Sequence, residues 1–412
     1  MSRSPSSLVV FASVVSVVAC STGAPTGRDA PAPTTVAAAT TTPAAASAAI
    51  TPPPAELREL VTRTFAPVLE PAPEQTTFPG LVIGVLHGDQ RHVLELGTIE
   101  RAQPGAAAAS VPPERVLFPI ASLTKPVTGL LLAKLATRGD LDLDAPAVDC
   151  ERHPNLCPDG QAITWRQLAT HTSGLPVLPD DVGELTGGSL SGYDDERLQA
   201  WLGRTRLARA PGSGFEYSTA GYGVLGSGLA AVEGRPFPDL LRDEVLRPLG
   251  MHDARWVLGG DDLGRFVLGH RQDGSPAPAP AAGGPVGALA PAGALVASAA
   301  DLLVFLETNI RPDAEWRAPV GLLLRPHDDI PSFPPSVMAL GWHDLTPAGF
   351  YWHAGHGGGH HGFMAFHPQG QVGVVVLANS ATSFADTRLA VASFTLLGAL
   401  LSGEGASAAA GG

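Results

Sequence analysis

Residues 118–135 read FPIASLTKPVTGLLLAKL, an apolar helical stretch whose start carries Ser122 and, three positions on, Lys125. Lys125 is one of only two lysines in the 412-residue chain. A spacing of three on a helix puts both side chains on one face, one turn apart, so the amine can reach the hydroxyl and take its proton. A serine at a helix N-terminus also meets unpaired backbone N–H groups and the positive end of the dipole, which favour the oxyanion of acyl transfer. An N-capping serine followed by a solvated lysine is the preferred reading of an isolated S-x-x-K string, so the rest of the chain has to decide.

Working outward, Ala55 to Leu69 reads as an amphipathic helix, followed by two apolar runs, GLVIGVLHG and RHVLELG. Those runs predict a hairpin with its turn at Gly88-Asp89-Gln90. Beyond the Ser122 helix come helical patterns at Thr164 to Thr170, where Thr164 and Gln167 are placed as a capping box, at Asp194 to Arg206, at Ala220 to Val232, and at Pro238 to Leu249 ending on Gly250. The Ala, Pro and Gly of residues 273–293 predict a long surface loop. Strand character returns at Val337 to Trp342, Gly362 to His367 and Gln371 to Ala378, and a last helix is expected from Ala385 to Leu401. The pattern predicts an α/β (α+β) fold in which an antiparallel sheet, built from both chain ends and flanked by helices, faces a mostly helical inserted lobe.

The N-terminal end bears on compartment. Leu8 to Ala19 is a short apolar run after one positive charge, Arg3, and twelve residues are too few to span a bilayer as a helix. Residues 1–20 are therefore expected to be a signal peptide, and Val17-Val18-Ala19-Cys20 resembles a bacterial lipobox, which makes Cys20 the expected lipid anchor. The alternative is an ordinary signal peptide, cut elsewhere. Residues 21–54, almost all Ala, Thr and Pro, read as a disordered tether, residues 55–402 as the folded domain and 403–412 as a flexible tail. The expected location is extracytoplasmic, in a bacterial cell envelope.

An oxidising compartment would let the remaining pair, Cys150 and Cys157 in DCERHPNLC, form a disulfide, worth about 2.5 kcal/mol on the chain-entropy model. Metal binding by Cys150, His153 and Cys157 is the alternative, with a spacing that fits no common zinc pattern. A formal net charge of −13 without a basic cluster argues against nucleic acid as a partner.

Two more segments carry chemistry. Pro211 to Thr219, PGSGFEYST, is a turn-rich approach to a helix that can hold the Tyr217 phenol beside the lysine as a proton carrier, the alternative being a half-buried packing tyrosine. His356 to Phe363, HGGGHHGF, enters a strand, and its glycines allow close backbone approach to a ligand. Histidines 353, 356, 360 and 361 could be taken as a metal cluster, but the glycine-rich context has no carboxylate nearby in sequence, so no metal is expected.

Together FPIASLTKPVTGLLL, ITWRQLATHTSGLP, PGSGFEYSTAGYGVLG, VLRPLGM, PAGALVASAADLLVFL, HGGGHHGF and QVGVVVLANS resemble, in order and approximate spacing, the blocks of the class C β-lactamase-like serine hydrolases, which include DD-peptidases and esterases. The likeness covers about residues 55 to 402. It implies Ser122 as nucleophile, Lys125 as its proton acceptor, Tyr217 as the tyrosine of a Y-x-N motif, and no cofactor. It also implies that His356-Gly357-Gly358 stands for the family's K-T-G or H-x-G element, because the step to Gly362-Phe363 fits from His356 and not from His353. The backbone N–H groups of Ser122 and Gly359 then form the oxyanion hole. His171 in HTSGLP is expected to be a structural turn residue.

Two departures bear on substrate. Thr219 stands where the family commonly has asparagine and offers one donor in place of an amide's two. An ordinary imidazole at the lysine position is mostly uncharged near pH 7. Both move the expectation from a dedicated β-lactamase toward an esterase or peptidase acting on a small-molecule or peptide substrate. A non-turnover penicillin- or peptide-binding sensor and an acyltransferase of the same fold are the alternatives. The sequence holds no signal for oligomeric state.

Overall fold

The computed structural model describes residues 49–70, 78–101, 111–182, 192–277, 286–327, 329–333, 336–381 and 386–404. The signal peptide, Cys20, most of the tether and the end of the tail lie outside the described residues. In chain order the elements are α1 (Ala55–Leu69), β1 (Gly80–His87), β2 (Gln90–Gly97), β3 (Phe118–Pro119), a 3-10 turn (Ala121–Leu123) and α2 (Thr124–Arg138). Helices α3 (Trp165–Ala169), α4 (Asp195–Arg204), α5 (Thr219–Glu233), α6 (Phe237–Leu241), α7 (Arg247–Leu249) and α8 (Ala290–Gly293) follow. The chain then forms β4 (Val296–Ala297), α9 (Ala299–Ile310), α10 (Arg317–Leu323), β5 (Pro331–Phe333), β6 (Ser336–Met338), β7 (His343–Leu345), β8 (Phe350–Gly357), β9 (His360–His367), β10 (Val372–Ala378) and α11 (Arg388–Leu401).

The main sheet is antiparallel, in the order β2-β1-β10-β9-β8-β7-β6-β5, so the N-terminal hairpin pairs with the last strand, as β1 on β10 from Leu81↔Ala378 to His87↔Val372. Both faces are covered. Val82, Leu86, Met364, Phe366, Val375 and Leu377 join the core shared with the helical lobe, whereas Leu81, Ile83, Val85, Phe363, Val374 and Val376 pack under α1 and α11. Period-2 alternation therefore sorts side chains between two apolar layers, which is why β1 and β10 read as unbroken hydrophobic runs.

Local signals account for the helices that frame the cleft. Thr164 and Gln167 form a capping box at α3, Ser298 and Asp301 do the same at α9, and Gly139 closes α2 at φ 92. Helix α2 approaches the sheet lobe through Gly129, where an added Cβ would lie 2.1 Å from the Leu340 carbonyl oxygen.

Several expectations need correction. Ile50 and Thr51, read as tether, pair with Arg91 on the edge of β2, because that outer strand leaves backbone groups open. The helix expected over 238–249 is interrupted by a π-helical turn, Arg242–Leu246. The strand expected over 337–342 stops at Met338, and residues 339–342 reverse direction with Ala339 N–H donating to Trp342 O at 2.9 Å and Gly341 at φ 85. The loop expected over 273–293 ends in α8, whose Ala290, Pro291 and Ala292 are buried against α5 and α2. Strand β8, broken up in sequence by two glycines, was not anticipated at all, and β5 extends the far edge. Helix α11 begins at Arg388 rather than Ala385; Ala385 itself lies outside the described residues. Cys150 and Cys157 are bonded, with Cα atoms 5.7 Å apart.

Replacing Gly129 by alanine forces the α2 contact apart, since a backbone carbonyl cannot rotate away as a side chain can. The expected cost is about 2–3 kcal/mol, read as a lowered thermal unfolding midpoint; an unchanged midpoint would show that this close approach does not hold the two lobes together.

Candidate active site

Ser122 sits in the 3-10 turn that leads into α2, and Lys125 lies in the first turn of that helix. Lys125 Nζ is 2.9 Å from Ser122 Oγ and donates to the Ala292 carbonyl at 2.7 Å. The two residues differ in exposure: Ser122 keeps an accessible face, while Lys125 is fully buried. Burial pushes the amine well below the ordinary lysine value, and among the described residues no carboxylate acts against that shift.

Tyr217 closes on the same pair from the loop before α5. Its phenol hydrogen-bonds Ser122, and its ring lies under the lysine, with Nζ 4.8 Å from the ring centre. Burial raises the phenol's pKa, with the Ser122 hydrogen bond acting weakly the other way, so the hydroxyl stays protonated. The distant segment reaches this position because Ser218 caps α5, accepting from Gly221 N–H at 2.8 Å and donating to Pro176 O at 2.7 Å. Thr219 is the first residue of α5, with its N–H on Val177 O at 2.9 Å.

The third wall is β8, and here the structure changes the assignment made from spacing. Residues 353 and 356 are three apart on a strand and so face opposite sides of the sheet. The His356 ring stacks on His361 at 3.7 Å, on the side of α1 and α11 and near Asp386, away from Ser122. His353 instead points into the helical-lobe side, 6.2 Å from the Tyr217 ring, and is fully enclosed. Gly355 follows on that face: a Cβ there would lie 2.5 Å from Ile120 O and 3.1 Å from Ser122 N, so only glycine lets the Ser122 turn rest on the strand. The K-T-G or H-x-G position is therefore His353-Ala354-Gly355 and not His356-Gly357-Gly358. The six-residue step misled because β8 runs on to Gly357, lengthening the hairpin.

Gly358 and Gly359 form the two-residue turn between β8 and β9, both at positive φ. Gly358 is exposed with open space around it, and Gly359 packs on Gly269 and Ala277, its carbonyl accepting from His270 N–H at 3.1 Å. Neither is set against Ser122. In a two-residue hairpin the flanking pair, Gly357 and His360, exchange hydrogen bonds, and so by alternation do Gly355 and His353 with β9. The N–H groups of Ala354 and His356 then point to the opposite edge, which β7 pairs only as far as Trp352. The His356 amide, not that of Gly359, is the β8 donor next to Gly355, on whose face the Ser122 turn rests.

Around Tyr217 the aromatic side chains close a ring: His171 to Phe215 at 5.9 Å, Phe215 to His343 at 6.4 Å, His343 to His353 at 5.7 Å, His353 to Tyr217 at 6.2 Å and Tyr217 to His171 at 4.3 Å. Burial drives all three imidazoles to the neutral form, His343 down to about 3 and His171 and His353 well below the usual histidine value. His353 donates from Nδ1 to its neighbour Ala354 O at 2.7 Å, which leaves Nε2 as a buried lone pair with no hydrogen-bond partner among the described residues. These three rings thus bring no positive charge to the site, and burial disfavours charging the amine. Sequence reasoning missed His353, Gly355, His343 and the Ala292 carbonyl. The H-A-G string at 353–355 fits H-x-G as well, and side-chain alternation along β8 was the signal that separates it from 356–358. Among the described residues no group of His, Cys, Asp or Glu is placed to hold a metal ion.

Comparison with known proteins places the chain in a family. The Beta-lactamase family model matches residues 65–395. Esterase EstB of Burkholderia gladioli is 36% identical over 177 residues, 40% of this chain and 44% of that protein, so the match spans less than half of the esterase. The D-alanyl-D-alanine-carboxypeptidase/endopeptidase AmpH of Escherichia coli (strain K12) is 29% identical over 331 residues, 74% of this chain and 81% of AmpH. A class C beta-lactamase structure superposes with a TM-score of 0.68 at 20% identity, covering 83% of this chain and 96% of the other, which is a likeness of fold. The chain belongs to the beta-lactamase family of serine hydrolases.

Proposed function

We propose that this protein is an exported hydrolase that cleaves esters in preference to amides through an acyl-enzyme on Ser122. The observation that carries the reading is a fully buried, carboxylate-free amine 2.9 Å from a partly exposed serine hydroxyl. A neutral Lys125 uses its lone pair to take the Ser122 proton while its N–H stays on Ala292 O. Ser122 Oγ attacks the carbonyl carbon, and the Ser122 and His356 amides receive the oxyanion. Tyr217, held protonated, gives its proton to the leaving oxygen or nitrogen and is restored from the Lys125 ammonium. Water, deprotonated along the same path in reverse, then releases the acid.

Preference for esters follows from two positions. Thr219 supplies one donor where an asparagine would grip an amide side chain. His353 is neutral, so a substrate carboxylate finds no ion pair there. Support for an extracytoplasmic location comes from the Leu8 to Ala19 apolar run, the lipobox-like approach to Cys20 and the Cys150–Cys157 bond. We assign Cys20 as the lipid anchor on the same grounds.

Ser122→Ala is expected to abolish labelling by a fluorescent fluorophosphonate without lowering the unfolding midpoint, and labelling at the wild-type rate would refute the nucleophile. The pH profile has a defined sign. Protonated Lys125 cannot accept a proton, so the acylation rate falls as pH drops through its pKa, and burial places that acid limb well below the ordinary lysine value of 10.5. Stopped-flow acylation with a nitrophenyl ester measures it; a rate that climbs only near pH 10 would contradict a depressed amine. Thr219→Asn is expected to raise amide or β-lactam turnover relative to ester turnover by about tenfold, the scale of one hydrogen bond. An unaltered ratio would remove Thr219 from the account of specificity.

A further inference from the structure

We infer that His171 is the positioning residue that sets the Tyr217 phenol on Ser122, acting as a neutral two-point clamp on the backbone either side of the tyrosine. The inference rests on the role given to Tyr217 above. His171 lies in the short segment after α3 and is fully buried. The residues before and after Tyr217 both donate their amides to it: Glu216 N–H to the His171 carbonyl at 2.8 Å and Ser218 N–H to His171 Nδ1 at 3.0 Å. Between those two anchors the imidazole stacks on the Tyr217 ring at 4.3 Å and 33°, while its other flank meets Tyr222 at 5.2 Å. One residue thus fixes the height of the phenol through two hydrogen bonds and its tilt through ring contact.

The clamp works only with a neutral ring. Nδ1 must be an acceptor to hold the Ser218 amide, which puts the imidazole proton on Nε2; a second proton on Nδ1 would break the contact. Burial opposes that second proton, and a charge on any of the neighbouring Lys125, His353 or His343 would oppose it further. Other groups facing the ring are Phe215 and Tyr222, neither of which supplies a charge. The cost of the arrangement is visible twice. His171 holds φ 60, a left-handed backbone that side chains seldom adopt, and its Nε2 has no hydrogen-bond partner among the described residues. Both are expected where local geometry is fixed for a purpose rather than for stability, and a turn residue chosen for stability alone would be glycine or asparagine at this φ.

The role differs from general packing because it runs through one hydroxyl. The reading is the second-order rate of Ser122 labelling by a fluorescent diphenyl phosphonate, whose phenoxide leaves with the Tyr217 proton where a fluoride would need none; it requires no knowledge of the natural substrate and is taken together with unfolding midpoints. His171→Ala is expected to slow labelling about a hundredfold, and His171→Asn, which tolerates left-handed backbone and keeps a side-chain acceptor, to recover at least tenfold of that loss. In a Tyr217→Phe background His171→Ala is expected to add less than threefold, because the group it positions is gone. A hundredfold further loss in that background, or wild-type labelling by a folded His171→Ala, would overturn the clamp while leaving the Tyr217 assignment standing. A silent Tyr217→Phe would instead sink the tyrosine's role and the clamp with it, and labelling of Ser122→Ala would sink the underlying reading separately. If His171→Ala does not fold, the Asn variant alone decides: labelling slowed in the wild-type but not in the Tyr217→Phe background supports the clamp, and equal slowing in both contradicts it.

Discussion

The enclosure of one amine governs this structure. A lysine side chain removed from water without a carboxylate loses its preference for the charged form, and that loss turns Lys125 from a surface cation into a base beside a hydroxyl. Everything around it serves that end. Helix α8 brings the Ala292 carbonyl to one N–H, the Tyr217 and Tyr222 rings lie 4.8 and 5.5 Å from the amine, and the sheet lobe closes behind at Gly341, where an added Cβ would lie 2.8 Å from the Lys125 carbonyl oxygen. None of these contacts is a counter-charge.

Close backbone approach is the second requirement, and glycine meets it at two further places where the lobes touch. Gly129 lets α2 rest on Leu340, and Gly355 lets the Ser122 turn rest on β8. The consequence is that the β8 edge beyond Trp352, where β7 ends and β8 continues, lies next to the nucleophile. A tight interior and that edge are here parts of one arrangement.

Much of this was legible from residues alone. The Ser122–Lys125 step, the α1 boundaries, the Thr164–Gln167 box and the β1–β2 hairpin all depend on contacts within a few residues, which sequence encodes directly. Long-range placement was less readable. His353 and His356 are both histidines in a glycine-rich run, and choosing between them needs the phase of a strand whose existence the glycines concealed. The buried end of the 273–293 segment was equally hidden, because Ala and Pro look alike in a loop and in a helix packed against α5. His171 appeared as a turn residue, which it is; that its carbonyl and ring nitrogen both hold the Tyr217 segment is a relation between segments some 45 residues apart in sequence and leaves no local trace.

With only two lysines in the chain, the central claim is open to direct spectroscopy. Protein carrying 13C at lysine Cε gives two lysine signals, and Lys134→Arg identifies the one from Lys125. The account predicts that this signal titrates well below 10.5, remaining that of a neutral amine at the pH where acylation is fastest. A Lys125 signal that stays that of an ammonium until the ordinary lysine range would contradict it.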